Sequence, residues 1–299
     1  MISTSDLIAA GATTSEVRSL TASLERLRPG VYVPKGTDPR DVYRMRCEAV
    51  LNSLGSGAML TGPAAAAVLE LPIPGRPPTT VAVRGIPRGE YGSDVLVVHG
   101  DTDGFECKGL RLSHPAVVAA DCARLMSARD ALIVSDALTH EGICTVAELR
   151  DNAARSARTR GAARVRWQSD HTDPRAESPG ETWTRLVLGQ LGYECASQAR
   201  VVDGEFSARL DFLLIDGRTA VEFDGAIKYR NPNGEAVMSA VMGEKERQAL
   251  LEALGHIFVR VIWKQLTNPE MIDRRLRFAG AAPTRKPLRL PAGWESRPR

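Results

Sequence analysis

Apolar and polar positions change their spacing several times along the 299-residue chain, and each change marks an element. Near the start, a short helix is expected over residues 5–10, stopped at Gly11. Thr13, with Glu16 three residues on, has the form of a capping box that opens a second helix to about Ser23. A turn at Pro29-Gly30 then leads into the alternating run Val31-Tyr32-Val33, which reads as a strand. An amphipathic helix follows over about residues 42–54, then the small-residue helix "GPAAAAVLEL". Three strand-like runs, "TTVAVRG", "DVLVVHG" and "GLRLSH", are separated by Gly and Pro. Helical spacing returns in "AVVAADCARLM", "ARDALIVSDALTHEG" and "TVAELRDNAARSA", and an arginine-rich polar stretch closes the region.

From Ser178 the pattern is cleaner. "SPGETWTRLVLGQLG" has Ser178 as N-cap, Pro179 at the first helical position and Gly192 past the end. Strand-like runs follow at "YECASQARVV", "FSARLDFLLI" and "RTAVEFD", then a helix from about Val237 to Leu254 and a last apolar strand "HIFVRVIW". The order is α-β-β-β-α-β. Together the elements predict an α+β multidomain protein: a winged helix-turn-helix over residues 1–38, an α+β middle domain that resembles an antitoxin's over 39–165, a linker over 166–177, an α-β-β-β-α-β domain over 178–280 whose order resembles the restriction-endonuclease-like fold, and a basic flexible tail over 281–299.

Composition narrows the function classes. The formal charge of +3 is mild, so nucleic-acid binding would have to rest on local clusters. Five scattered cysteines without a C-x-x-C pair argue for free thiols in a reducing compartment. The N-terminus lacks the basic and apolar regions of a signal peptide, and no apolar run is long enough to span a bilayer. A cytoplasmic location, with no membrane partner, is the expectation. His99, His114, His140 and His171 are too far apart in sequence to form an obvious metal-ligand set.

Helix, tight turn, helix and β-ribbon is the order of a winged helix-turn-helix, whose second helix enters the DNA major groove. A small helical cap with a hairpin has the same order. On the first reading, the second helix presents Ser15, Arg18, Ser19 and Thr21, and Arg26, Arg28 and Lys35 from the wing supply the phosphate contacts.

The sharper chemistry lies in "RLDFLLIDGRTAVEFDG". Asp216-Gly217 is a type I′ hairpin signal, and counting back from it sets Leu213 opposite Ala220, Asp211 opposite Glu222 and Arg209 opposite Asp224. Alternation puts those six on one face and Leu210, Phe212, Leu214, Val221 and Phe223 on the other, as continuous core. Opposed Cβ atoms lie about 4.5–5.5 Å apart, where like charges repel. A divalent cation between Asp211 and Glu222 would relieve that repulsion, since Mg²⁺ is commonly held by one or two carboxylates; neighbouring Arg and Lys side chains would do so too. Arg209 could neutralise Asp224. Glu181, three residues after Ser178, satisfies a capping box as well as it would serve as an acid.

An Asp on one strand and a Glu opposite it in α-β-β-β-α-β order resemble the PD-(D/E)xK nuclease superfamily. Within it, "SPGE", "ARLDF", "VEFDG", "GEKERQALLEALG" and "VRVIW" resemble a domain of unknown function related to very-short-patch-repair endonucleases, over about residues 177–277. The resemblance implies Asp211 and Glu222 as ligands of Mg²⁺ or Mn²⁺, Glu181 as a further acid, and metal-assisted attack of water on a phosphodiester. The superfamily's lysine falls two residues after the Glu, where this chain has Asp224; Lys228 or Lys245 would have to substitute, although Lys245 and Arg247 read equally well as solvated helix charges. The segment "LIAAGATTSEVRSLTASLERLRPGVYVP" is similar to the winged helix of AbiEi-type antitoxins of bacterial type IV toxin–antitoxin systems.

The expectation is therefore a DNA-binding protein with a Mg²⁺-dependent endonuclease-like domain, nucleoid-associated when bound. The alternative is a non-catalytic autorepressor of a toxin–antitoxin operon, with a cognate toxin as partner. A homodimer would suit a palindromic operator.

Overall fold

A computed structural model describes residues 1–87, 89–100, 103–225 and 245–294. Its contacts divide the chain into two units, Met1–Thr172 and Asp173–Ser296. Both mix helix and sheet, and the described residues form three sheets.

The first unit opens with β1 (Ile2–Ser3), α1 (Thr4–Ala9), α2 (Thr14–Thr21), β2 (Glu25–Arg28) and β3 (Val31–Val33), the strands in the order β1-β3-β2. The Thr13–Glu16 capping box is formed in both directions and starts α2 as its spacing requires. Next come α3 (Pro39–Asn52), β4 (Met59–Leu60), α4 (Gly62–Val68), β5 (Val81–Arg84), β6 (Val95–Val97), β7 (Gly104–Cys107) and β8 (Leu110–Ser113), in a sheet ordered β6-β5-β4-β8-β7. β4 and β7 are additions to the three strands expected; each is too short or too polar to carry a visible period. Tyr43 and Val50 of α3, the alanines of α4 and Val81, Val83 and Leu112 of the sheet form one core.

Four helices complete the unit: α5 (Pro115–Leu125), α6 (Ala128–His140), α7 (Val146–Arg155) and α8 (Ala162–His171). α8 corrects the expected linker. Its first residues lie inside the arginine-rich stretch, but Val165, Trp167, Gln168 and Ser169 are buried, and Gln168 Nε2 donates to the Ala131 carbonyl at 2.7 Å. The exposed arginines between them hide the buried face in the composition.

The second unit contains α9 (Pro179–Leu191), β9 (Cys195–Asp203), β10 (Phe206–Leu214), β11 (Thr219–Phe223), α10 (described over 245–253), β12 (Ile257–Val261), α11 (Trp263–Leu266) and α12 (Pro269–Phe278). The sheet order is β12-β11-β10-β9; β9, β10 and β11 pair antiparallel and β12 lies parallel to β11. Trp183, Val187 and Leu188 of α9 join Phe212, Leu214, Val221, Val259, Val261 and residues of α11 and α12 in the main core. A second cluster holds Ala208, Leu210, Ala220 and Leu251 of α10, with Leu213 and Phe258 at its edge. The face expected to be charged is thus also covered, and Leu210 sorts with Leu251 rather than with Phe212.

The segment expected to be a flexible tail is tied down at its start. Ala281 is in the main core, the amides of Thr284 and Arg285 both donate to the Gly192 carbonyl, and Leu288 N donates to Gly189 O. These bonds satisfy carbonyls that α9 leaves open at its C-terminus, a use that Pro- and Arg-rich composition does not announce.

Candidate functional site

The β10–β11 hairpin pairs Phe212↔Val221 and Leu213↔Ala220, as the register predicts, and the paired rungs end there; Asp211 and Glu222 follow on the two adjacent strands where the ladder opens, which is why Leu210 and Phe212 face different cores. Its turn is of another kind. Gly217 is left-handed, with φ +71°, whereas Asp216 is not. Instead Asp216 Oδ1 accepts from the amides of Arg218 and Thr219, each at 2.8 Å, and Oδ2 accepts from Thr219 Oγ1. Burial raises the Asp216 pKa, but these bonds outweigh it and hold the carboxyl below its ordinary range. Ile215 and Arg218 therefore stay in the loop, because a side-chain cap replaces the second left-handed residue of a type I′ turn.

The flanking strands extend the pair. Gln198 of β9 falls opposite Asp211, and Arg260 of β12 pairs with Glu222. Gln198, Asp211, Glu222 and Arg260 thus form a row of neighbouring positions across the four strands, in which Glu222 and Arg260 are paired and Gln198 is left-handed, with φ +51°. Asp211 Oδ2 accepts the Phe223 amide at 2.8 Å. Arg247 Nη2 donates to Glu222 Oε1 at 2.9 Å, while its Nη1 donates to the Arg209 carbonyl at 3.2 Å. Arg260 Nη2 lies 3.8 Å from Glu222 Oε2 and donates to Gln248 Oε1 at 2.8 Å. Arg247 and Arg260 thus supply the positive charge that the opposed carboxylates require, so their juxtaposition does not by itself demand a dication.

Beside the row, Ser178 Oγ caps α9 by accepting the Glu181 amide at 3.2 Å, but the reciprocal half of the expected capping box is replaced: Glu181 Oε1 accepts from Ser178 Oγ at 2.7 Å, and Oε2 accepts from the Glu177 amide at 3.0 Å rather than from that of Ser178. Oε2 also takes Gln198 Nε2 at 2.7 Å, which links α9 to the row. Gly180 is required here, since a Cβ on it would lie 2.0 Å from the Phe223 ring. That ring packs edge-on against Trp263, with centroids 4.9 Å apart.

No protein-family model and no curated protein matches the chain.

The remaining expected residues separate. Arg209 pairs with Glu177 at 2.5 Å, not with Asp224, because the chain just before α9 brings Glu177 to the exposed Arg209 side chain. Asp224 is half-buried beside the row, and its amide donates to the Val261 carbonyl at 2.8 Å. Lys245 is exposed at the start of the described part of α10, and Lys228 lies outside the described residues. Arg247 was visible only as one of several helix charges. Its position four residues before the buried Leu251 puts it on the covered face of α10, whereas Lys245 is about 200° away from Arg247 around the helix. In the first unit Ser15, Arg18, Ser19, Arg26 and Lys35 are exposed. Arg28 is not available in the same way: it donates to Ala49 O at 2.8 Å and Ser53 Oγ at 2.9 Å, and lies 3.4 Å from Asp94. It braces the hairpin against α3.

The donor set is of the kind a hard divalent cation takes, with carboxylates from two adjacent strands. The row also holds Gln198 Oε1, a buried oxygen that meets no donor among the described residues. Asp211 and Glu222 are the residues that would hold the ion; among the described residues no three of His, Cys, Asp and Glu cluster for one. No helix of the described residues is long and apolar enough to cross a membrane.

Proposed function

We propose that the second unit is a nuclease-like domain that acts on phosphodiesters with a divalent cation held by Asp211 and Glu222. The observation that supports this most is the β10–β11 hairpin, whose paired rungs lead directly into Asp211 and Glu222 on adjacent strands, within an α-β-β-β-α-β order. When bound, Mg²⁺ or Mn²⁺ would polarise a phosphoryl oxygen and lower the pKa of a coordinated water. The chain's own residues do the rest. The Phe223 amide fixes one Asp211 oxygen, Arg247 holds Glu222 until the ion takes it, Arg260 stays beside Glu222, and Glu181 keeps α9 and Gln198 in place. Asp224 is a secondary acid beside the pair. Cleavage of plasmid, mismatched or single-stranded DNA in Mg²⁺ or Mn²⁺, abolished by Asp211→Ala, is the expected result; full-length protein that leaves all three intact with either metal overturns the reading.

In the first unit, the α1–α2–hairpin segment would act as a winged-helix-like DNA reader, through Ser15, Arg18 and Ser19 on α2 with Arg26 and Lys35 beside them. A second reading, a non-catalytic autorepressor of a toxin–antitoxin operon, is favoured by a specific set of contacts: Glu181 is engaged by its cap and Glu222 is paired to arginine. It expects salt-dependent binding to the chain's own promoter, reduced by Arg18→Ala with Arg26→Ala and indifferent to Asp211→Asn. A homodimer and a cognate toxin would belong to this reading, in a bacterial cytoplasm.

A further inference from the structure

We infer that Arg247 is a phosphate latch: it grips Glu222 while no cation is bound, and exchanges that carboxylate for a nucleic-acid phosphate when a divalent cation takes the two acids. The inference rests on the reading of Asp211 and Glu222 as a cation pair.

Charge makes the two binding events interdependent. As it stands, the row balances two carboxylates, Asp211 and Glu222, against two guanidinium groups, Arg247 and Arg260. A dication added to that balance leaves two positive charges in excess among these four groups, with Asp224 and the capped Glu181 beside them. A site with that surplus attracts a phosphodiester, and by linkage the phosphodiester strengthens cation binding by the same factor.

Geometry selects Arg247 over Arg260 as the moving partner. Arg260 is steadied by Gln248 Oε1, and Gln248 Nε2 is itself held by Glu252 Oε1 at 2.7 Å. Arg260 reaches Glu222 only at 3.8 Å. Arg247 makes the short contact, at 2.9 Å, so its release is what frees Glu222, at the cost of its longer bond from Nη1 to the Arg209 carbonyl, at 3.2 Å. Leu251, one turn along α10, anchors the helix in the core, so the exchange needs a turn of the side chain rather than a shift of the backbone. A guanidinium presents the same two-pronged donor edge to phosphate as to carboxylate, which lets one group serve both.

The test is fluorescence anisotropy of the full chain with a labelled single-stranded thymidine tetranucleotide, too short to be read by a helix in a duplex groove. It is run in EDTA and in Ca²⁺, which supplies the charge without hydrolysis. For the wild type, Ca²⁺ should tighten binding about tenfold, the range of one charge-assisted hydrogen bond. Glu222→Gln, which loosens the grip on Arg247, should bind in EDTA about as tightly as the wild type does in Ca²⁺. Arg247→Met should bind weakly in both, and Arg247→Lys should fall between. Glu246→Gln, the same loss of charge on the neighbouring exposed residue, should gain little. The latch is overturned if Glu222→Gln gains no more than Glu246→Gln, or if Arg247→Met, melting as the wild type does, still responds fully to Ca²⁺. If calorimetry shows no cation bound by the wild type, the cation reading fails separately, and the Glu222→Gln comparison in EDTA still decides whether Arg247 is held in reserve for phosphate.

Discussion

Asp121 in the first unit and Glu222 in the second are each met by two arginines, and the difference between them separates a structural acid from a candidate ligand. Asp121 is fully buried. Arg84 donates Nε and Nη2 to its two oxygens at 2.6 and 2.8 Å, Arg124 Nη1 adds a bond at 2.9 Å, and Thr61 Oγ1 another at 2.5 Å. Arg84 is completed in turn by the carbonyls of His99 and Gly100. Such a network ties β5, α4 and α5 together and leaves no room for exchange. Among the described residues, Glu222 has one short ionic contact and one long one, from side chains that reach solvent. The same pairing of residue types therefore serves as a fixed joint in one place and as a replaceable counter-charge in the other.

The largest effect should come from breaking the fixed joint. Asp121→Ala leaves Arg84 buried without its partner and should destabilise the first unit by about 3–5 kcal/mol in denaturant unfolding; a loss below about 1 kcal/mol would remove the contrast with Glu222. Gly180→Ala comes next, since its new methyl meets the Phe223 ring and overpacking of this kind costs about 1–3 kcal/mol. It should also disturb the row through Phe223. Ser178→Ala should cost about 1 kcal/mol, as removal of an N-cap does. Glu181→Gln can keep an acceptor for Ser178 and should cost less; if it abolishes cleavage while the fold melts unchanged, Glu181 has a role beyond the cap.

A smaller effect is set by pH. Asp173 is held below the usual aspartate range: burial raises it, but hydrogen bonds from Arg175 and Ser197 lower it further. A depressed folded-state pKa gives stability that is present above the unfolded value of about 3.8 and lost as pH falls through the folded one. Asp173→Asn should flatten that acid limb of the second unit's unfolding profile. An unchanged limb would show that other carboxylates carry it.

The contrast also explains what the sequence could reveal. The two-residue period around Asp216-Gly217 was enough to fix the pairs Phe212↔Val221 and Leu213↔Ala220, because register depends only on where the turn lies; it did not show that the ladder opens at Asp211, whose side chain takes the Phe223 amide. The turn type was not legible, since Asp216 caps with its side chain; a left-handed pair occurs instead at Lys108-Gly109, where no such period stands out. Arg247 and Arg260 were obscured because charged residues on a helix or an alternating strand usually face water, and only the packing of Leu251 and the β11–β12 register turn these two toward Glu222. The Asp121 network joins residues 37 and 60 positions apart, which no local pattern records.

Isothermal titration of Mg²⁺ and Mn²⁺ into the wild type and into Asp211→Asn tests the central claim most directly, because Asn keeps an acceptor for the Phe223 amide while removing the charge. The account predicts one ion bound per wild-type chain and none by the variant, with equal melting temperatures. Equal binding by both proteins, or by neither, would contradict it.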